Sequence, residues 1–386
     1  MRLVLSTHSL RLRGGSQTYL TTVAAHLQRL GHDVTVYANE VGETVVEEHP
    51  ELRLAIGDHA LPSECDAAIV QDAIVSYAHA ARYPNAPQVF VAHSTLHDHQ
   101  LPAQLPGICR SVVALNERVA RRLRALGGDV EVVRLRQPVD LDVFAPLVPL
   151  RAHAPRVLAL GNRLSGPRLE LLEAVCRELK FEFVAVGGPR DSVQDTDHRI
   201  LNADLVVGYG RCIVEAMACG RAAYVWDHLG GDGWVTAATY PSLEADGFGG
   251  RATDMAVDRR GLRDDLASYH PDMGLVNREL AVRHHGPRDH AQALGALLAR
   301  QTGPAPEDRT PLDELARLTR VSWDAERRGM GYAREVGRLH KQLERILHSR
   351  RYRLATTLAS PVDVLRRISR VRRRRGKATG GGRAGG

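Results

Sequence analysis

Cysteine is scarce in this sequence and is not arranged for cross-linking. The 386 residues contain five cysteines, an odd number, and no two of them form a CxxC pair. A disulfide-stapled domain and a zinc site built from thiol pairs are therefore not expected, and we predict free thiols in a reducing cytoplasm. The five are Cys65, Cys109, Cys176, Cys212 and Cys219.

Long apolar runs are also missing. No stretch approaches the roughly 18 uninterrupted apolar residues that a membrane-spanning helix requires. The apolar run at residues 3–5 is soon followed by Arg11 and Arg13. We therefore expect neither a signal peptide nor an integral membrane segment, and we predict a cytoplasmic protein.

Acidic residues are absent from the end of the chain. None follows Asp363, and residues 366–377 hold eight of the cations behind the net charge of +7. The rest of the chain is close to neutral, so no nucleic-acid partner is expected. Residues 372–386 are predicted to be disordered. Apolar and cationic residues interleave over 350–368, which favours an anionic membrane surface on the inner face over a solvated tail or another polyanion.

The remaining sequence alternates short apolar runs with helical stretches, which is typical of doubly wound α/β domains with mostly parallel sheets. We predict a Rossmann-like domain over 1–150, a second over 151–301, a linker and amphipathic helical extension over 302–371, and a basic, glycine-rich tail over 372–386. The predicted strands are 2–6, 33–38, 67–71, 88–93, 111–115, 131–135, 156–160, 182–186, 205–207 and 222–226. The predicted helices are 17–30, 170–179, 212–219 and about 312–348.

Three loops carry the residues that point to chemistry. Gly14 and Gly15 stand between the first strand and a helix for which Ser16 is the predicted N-cap. Consecutive glycines let a ligand approach the backbone, and a helix N-terminus favours negative charge. An ordinary strand-to-helix turn explains the same residues equally well.

The second loop follows the first strand of the second domain and contains Arg163 and Arg168. Two guanidinium groups at the carboxyl end of a strand can clamp a diphosphate, and we expect both to face solvent in an open cleft. The third segment runs from Gly208 to Gly220 and includes Glu215 in a small, apolar helix. Its carboxylate either accepts from ribose hydroxyls or stabilises the helix N-terminus.

From residue 1 to about 301 these segments resemble the retaining nucleotide-sugar glycosyltransferases of family 4, whose GT-B fold has two Rossmann-like domains facing a cleft. The block Glu215-Ala-Met-Ala-Cys-Gly is the most recognisable. Gly14-Gly15, the stretch 27–36, the stretch 115–123 and the stretch 138–144 match other blocks of the family in order.

The resemblance implies that Glu215 holds the ribose, that Arg163 and Arg168 bind the diphosphate, and that Gly14 and Gly15 lie against the phosphates and the transferred sugar. Arg168 stands where the family usually has lysine. His93, at the end of a strand, matches a histidine that the family places beside the sugar.

One position departs from the family. A second glutamate usually stands eight residues before the ribose-binding one, and here that position is Val207. Arg211 and the backbone of Gly208 and Gly210 are the candidates for its contacts with the sugar. The substitution leaves the identity of the donor sugar undetermined, and it also leaves open whether the chain catalyses transfer.

The resulting hypothesis is a retaining glycosyltransferase that moves a sugar from a nucleotide-sugar to a sugar or lipid-linked acceptor, in cell-surface polysaccharide or glycolipid synthesis. Arginines would supply the charge, so neither a metal nor a cofactor is expected. The alternative is a non-catalytic nucleotide-sugar-binding protein of the same fold. Another enzyme on that fold, such as an epimerase or a sugar phosphorylase, is a third option.

Overall fold

The computed structural model describes residues 1–11, 14–94, 98–103, 105–127, 130–151, 155–161, 164–187, 195–227, 230–253, 258–301 and 311–354. The chain divides into two compact units, Met1–Arg320 and Val321–Gly386. The basic tail over 372–386 and its predicted disorder lie outside the described residues, as do Arg163 and positions 355–368 of the segment predicted to contact a membrane.

The first large sheet has seven parallel strands in the order β5-β3-β1-β6-β7-β8-β9. The predicted strands of this half are confirmed, and β5 is an additional short edge strand. A separate parallel pair joins β2 to β4. The strands are β1 Arg2–Ser6, β2 Ser9–Leu10, β3 Asp33–Ala38, β4 Glu40–Val41, β5 Arg53–Ile56, β6 Ala67–Val70, β7 Gln88–Ala92, β8 Cys109–Ala114 and β9 Glu131–Arg134. The helices are α1 Gly15–Arg29, α2 Glu43–Glu48, α3 Ala73–Arg82 and α4 Glu117–Ala125.

Apolar layers cover both faces of this sheet, as a parallel sheet requires. On one face Leu20, Val23 and Leu27 of α1 are fully buried against the strands. The other face includes Phe90 and Leu123. Strands such as β7 are buried at every position, which is why they read as continuous apolar runs in the sequence.

Helix α1 begins two residues earlier than the sequence suggests. Its N-cap is Gly14, with extended backbone and no side-chain cap hydrogen bond, so the prediction that Ser16 caps the helix is wrong. Ser16 lies in the first turn, where its hydroxyl donates to Gln17 Oε1. The amides of that turn are therefore not satisfied by a capping side chain.

The second large sheet has the order β11-β10-β12-β13-β14, with β14 antiparallel to β13. The predicted strands are confirmed, whereas β14 was missed because two of its four residues are glycine. Its strands are β10 Arg156–Leu160, β11 Glu182–Val186, β12 Leu205–Gly208, β13 Ala222–Trp226 and β14 Gly231–Trp234. Its helices are α5 Pro167–Glu178, α6 Thr196–Leu201, α7 Arg211–Ala218, α8 Tyr240–Ala245, α9 Arg259–Ala267, α10 Asp272–His284 and α11 Pro287–Ala299.

Helix α11 packs in the core of the first sheet, although residues 151–301 are predicted to form the second domain. Ala291, Leu294 and Leu298 are buried with α1 in that core. The Tyr19 hydroxyl and His290 Nε2 lie 2.7 Å apart in the same contact. Helix α11, from the second half of the chain, thereby packs against α1 in the first half.

The predicted C-terminal helix is confirmed as α12, Leu312–Leu347. Leu312 belongs to the core on the second face of the first sheet. Further along the helix, apolar side chains including Tyr332, Val336 and Leu339 are exposed. Among the described residues, no helix is both long and apolar enough to cross a membrane.

Candidate active site

A pocket of about 240 Å³ lies where the segments after β7 and β12 meet the first turn of α1. These segments follow the carboxyl ends of parallel strands, where open α/β sheets bind their ligands. The pocket brings together four of the predicted site residues from both halves of the chain. Its lining includes Gly15, Ser16, His93, Tyr209, Gly210 and Arg211.

Gly208 and Gly210 shape the loop between β12 and α7. A Cβ atom on Gly208 would lie 2.4 Å from the backbone oxygen of Leu160 and 2.7 Å from the sulfur of Cys212, so only glycine fits. Gly210 caps α7 with φ +66°, a left-handed conformation that favours glycine. Its amide donates to the Phe248 carbonyl over 2.8 Å. The loop is therefore held in one shape with the first turn of α7 facing the pocket.

Arg211 is the first residue of α7, and Gly15 lies against it. A Cβ on Gly15 would lie 3.9 Å from Arg211 Cδ, so the N-terminus of α1 and the arginine are in van der Waals reach. Arg211 Nε donates to Glu215 Oε1 over 2.7 Å, and Nη1 donates to the Pro138 carbonyl over 3.1 Å. Both side chains of the ion pair are about nine-tenths buried. Glu215 is buried and is not among the described residues that line the pocket.

His93 immediately follows β7 and lines the pocket. Its ring stands edge-on to Tyr19, with the centroids 4.8 Å apart, and its Nε2 is buried with no hydrogen-bond partner among the described residues. Burial, with the charges of Arg211 and His290, lowers the pKa of His93 to about 3. The imidazole is therefore neutral near pH 7, with one nitrogen able to donate and the other able to accept.

Two solved structures share this two-sheet architecture. One is an α-glucosyltransferase in complex with UDP and a 13-mer DNA containing a HMU base, with TM-score 0.53, 10% identity, and coverage of 78% of this chain and 100% of that one. The other is the catalytic domain of starch synthase IV from Arabidopsis thaliana bound to ADP and acarbose, with TM-score 0.50, 12% identity, and coverage of 78% and 98%. The fold is GT-B. No family model matches the chain, and no curated protein matches its sequence.

Arg168 lies at the start of α5 and is only partly exposed, whereas the sequence predicts a solvent-facing side chain. Its guanidinium carbon is 3.7 Å from the centroid of the Trp226 ring, and its Nε donates to the Asp227 carbonyl over 2.6 Å. Partial burial lowers the pKa of Arg168. Within the described part of the GT-B cleft, Arg168 is not in the lining of the pocket that holds Arg211. Arg163, its predicted companion, lies outside the described residues.

Val207 is fully buried in β12, with Tyr224 and Trp226 in the same apolar cluster. The position thus contributes no polar group to the GT-B cleft. Arg211 and the backbone of Gly208 and Gly210 therefore stay the predicted contacts for the sugar.

Sequence reasoning missed an ion pair at the rim of the pocket. Arg118, on α4, lines the pocket and lies 3.1 Å from Asp246, next to the end of α8. Arg118 falls inside the stretch 115–123 that resembles the family, but no role follows from that resemblance. Its partner is distant in sequence, so spacing carries no signal for the pair.

Proposed function

We propose that this chain is a retaining glycosyltransferase that transfers a sugar from a nucleotide-sugar to a sugar or lipid-linked acceptor, in the synthesis of a cell-surface polysaccharide or glycolipid. The main support is the pocket at the carboxyl ends of both sheets, to which each half of the chain contributes a helix N-terminus. An anionic donor fits such a site, because unsatisfied amides and the helix dipole favour negative charge.

In this proposal the diphosphate of the donor leaves and takes the proton of the acceptor hydroxyl on the same face of the sugar. No enzymic nucleophile is required. Arg163 and Arg168 would stabilise the departing anion, and domain closure would orient the reactants. Gly14 and Gly15 would let the donor approach the backbone, and Glu215 would hold the ribose. Arginine charge makes a metal or other cofactor unnecessary in this scheme.

The neutral state of His93 fits a place beside the sugar. A neutral imidazole offers a donor or an acceptor to a hydroxyl without adding a charge that competes for the diphosphate. Its Nε2 is buried and has no partner among the described residues, and a hydroxyl of a substrate in the pocket would complete its hydrogen bonding.

The test is incubation with a panel of nucleotide-sugars, with released and transferred sugar followed by NMR so that the anomeric configuration is read directly. His93→Asn is expected to lower the rate about 10-fold, as the loss of one neutral hydrogen bond implies, whereas the exposed His59→Asn serves as the matched control. An inverted product would reject the retaining mechanism. Failure to bind any member of the panel would reject the proposal as a whole.

The alternative is a nucleotide-sugar-binding protein without transfer activity. The burial of Val207 in the core favours it, because an acidic contact to the sugar is lost at that position. Tight binding of nucleotide-sugars by calorimetry, with neither hydrolysis nor transfer across sugar and glycolipid acceptors, would select this alternative.

We further propose that the basic C-terminal segment holds the enzyme to an anionic membrane face, where a lipid-linked acceptor is found. Each cation near such a surface adds about 1 kcal/mol of attraction. Truncation after Leu347 is expected to release the protein from anionic vesicles in co-sedimentation at low salt, while transfer to a soluble acceptor persists. Equal, salt-independent recovery of both proteins in the supernatant would reject the anchor.

A further inference from the structure

The guanidinium group of Arg211 is only partly satisfied within the protein. Its Nε and Nη1 are held by Glu215 and by the Pro138 carbonyl. Its Nη2 is buried and has no hydrogen-bond partner among the described residues. A buried donor without an acceptor is costly, so such an atom on a residue that lines a pocket indicates a ligand that supplies the acceptor. The two bonds already made fix the direction in which Nη2 points.

The surroundings of Arg211 are positive beyond its own charge. The N-terminus of α1, whose Gly14 cap supplies no side-chain acceptor, lies against Arg211 at Gly15. Each helix N-terminus acts as about half a positive charge, and Arg211 stands at the N-terminus of α7. The charge of Arg211 also contributes to the low pKa of His93 across the pocket.

The acidic groups close to this position are already paired. Glu215 accepts from Arg211 itself, and Asp246 is paired with Arg118. Glu244, which lines the pocket, forms an ion pair with Arg134 and lies 3.6 Å from a second arginine, Arg136. The positive groups that remain are the second arginine and the two helix N-termini, and they favour an anion over a neutral hydroxyl as the partner of Nη2.

We propose that Arg211 Nη2, together with the first-turn amides of α1, binds an anionic oxygen group of a substrate, at a position separate from the diphosphate contacts assigned to Arg163 and Arg168. The group is a carboxylate or a phosphate. It belongs either to the transferred sugar, as in a hexuronic acid, or to a phosphate other than the donor diphosphate, as in a sugar phosphate. The inference rests on the proposed function for the identity of the substrate, but the anion site itself does not depend on turnover.

Arg211→Lys is the variant that isolates Nη2. Lysine keeps the positive charge within reach of Glu215, so the buried carboxylate stays paired, but it lacks the fixed second and third nitrogens of the guanidinium. Arg177→Lys is the matched control, because Arg177 also pairs with a glutamate one helical turn away, Glu173, but its side chain is 73% exposed on α5 and does not line the pocket. Should Arg211→Lys fail to fold by circular dichroism, the double variant Arg211→Gln/Glu215→Gln replaces it.

Calorimetric titrations then compare each variant with the wild type. The ligands are inorganic pyrophosphate, glucuronate, a hexose phosphate, nucleoside diphosphates, and nucleotide-sugars carrying either a hexose or a hexuronate. We expect Arg211→Lys to weaken the binding of hexuronate ligands or of the hexose phosphate about 10- to 100-fold, as the loss of a charged hydrogen bond implies, and Arg177→Lys to change every affinity less than threefold. Selective loss of the hexuronate ligands assigns the group to the sugar, and selective loss of the hexose phosphate assigns it to a phosphate outside the donor diphosphate. Loss that includes pyrophosphate and nucleoside diphosphates would place Arg211 at the diphosphate itself and overturn a separate site.

Wild-type affinity of Arg211→Lys for every ligand, equal weakening by Arg177→Lys, or no binding of any anion to the wild type would overturn the site. Failure of the proposed function looks different, because glucuronate or the hexose phosphate would then bind in an Arg211-dependent manner while no nucleotide-sugar binds at all.

Discussion

Arg211 and Glu215 stand one turn apart on α7 and form an ion pair of 2.7 Å in which both side chains are about nine-tenths buried. The pair joins the residue predicted to hold the ribose to the arginine that lines the pocket. Any change at Glu215 therefore acts on Arg211 as well, and stability and ligand affinity are coupled at this position.

Glu215→Ala is expected to lower the free energy of unfolding by about 3 to 5 kcal/mol, because it leaves the buried Arg211 charge without its partner. Denaturant unfolding measures the effect. The double variant Arg211→Met/Glu215→Ala should be less destabilised than the sum of the two single variants. Strict additivity would contradict a coupled pair, and only the affinity measured on folded protein bears on the ribose assignment.

Arg168→Met should lower the free energy of unfolding by about 1 to 2 kcal/mol, since the cation–π contact with Trp226 and the bond to the Asp227 carbonyl are both lost. The control is Arg177→Met on the same helix, whose side chain is 73% exposed and should contribute less than about 0.5 kcal/mol. Thermal and denaturant unfolding of the two variants give the comparison. Equal stability of the two would mean that the Trp226 contact does not form in solution.

Gly208→Ala is expected to destabilise the protein by about 3 kcal/mol, because the added methyl group would lie 2.4 Å from the Leu160 carbonyl oxygen. Gly286→Ala is the matched control, since its nearest neighbour would be 3.8 Å away at an Asp289 side-chain oxygen. Soluble yield and unfolding midpoints measure both. A Gly208→Ala protein as stable as the control would show that β12 can move away from β10 without cost.

His79 governs part of the pH dependence of stability. Its ring is buried between Tyr37 and Tyr83 with no hydrogen-bond partner among the described residues, and burial lowers its pKa to about 4. Because the unfolded chain takes up the proton first, this histidine lowers stability as the pH falls from about 6.5 towards 4 and has no such effect above that window.

When the pH is lowered from 8 to 5, the free energy of unfolding of His79→Leu should therefore rise by about 2 kcal/mol relative to that of the wild type. Urea unfolding of both proteins at several pH values measures the difference. Parallel stability curves across this range would mean that His79 titrates in the folded protein as it does in the unfolded chain.

Much of the fold followed from local sequence. The apolar runs of buried strands such as β3 and β7 and the amphipathic face of α1 are encoded by neighbouring residues, so they are visible without tertiary contacts. Strand β14 was missed because a glycine-rich segment pairs only when β13 supplies the neighbouring edge.

The candidate site was predictable in its residue types but not in its geometry. The sequence by itself determined that glycines, His93 and Arg211 follow strand ends, because chain order places those loops at one edge of each sheet. The Arg211–Glu215 pair was also within reach of sequence reasoning, since the spacing of four is local, but the predicted helix began one residue too late to include Arg211. Only the tertiary structure decided that Arg168 lies on Trp226, that Nη2 of Arg211 is buried without a partner among the described residues, and that His93 is neutral. These properties depend on burial and on groups from distant segments, and the spacing of residues along the chain predicts neither of them.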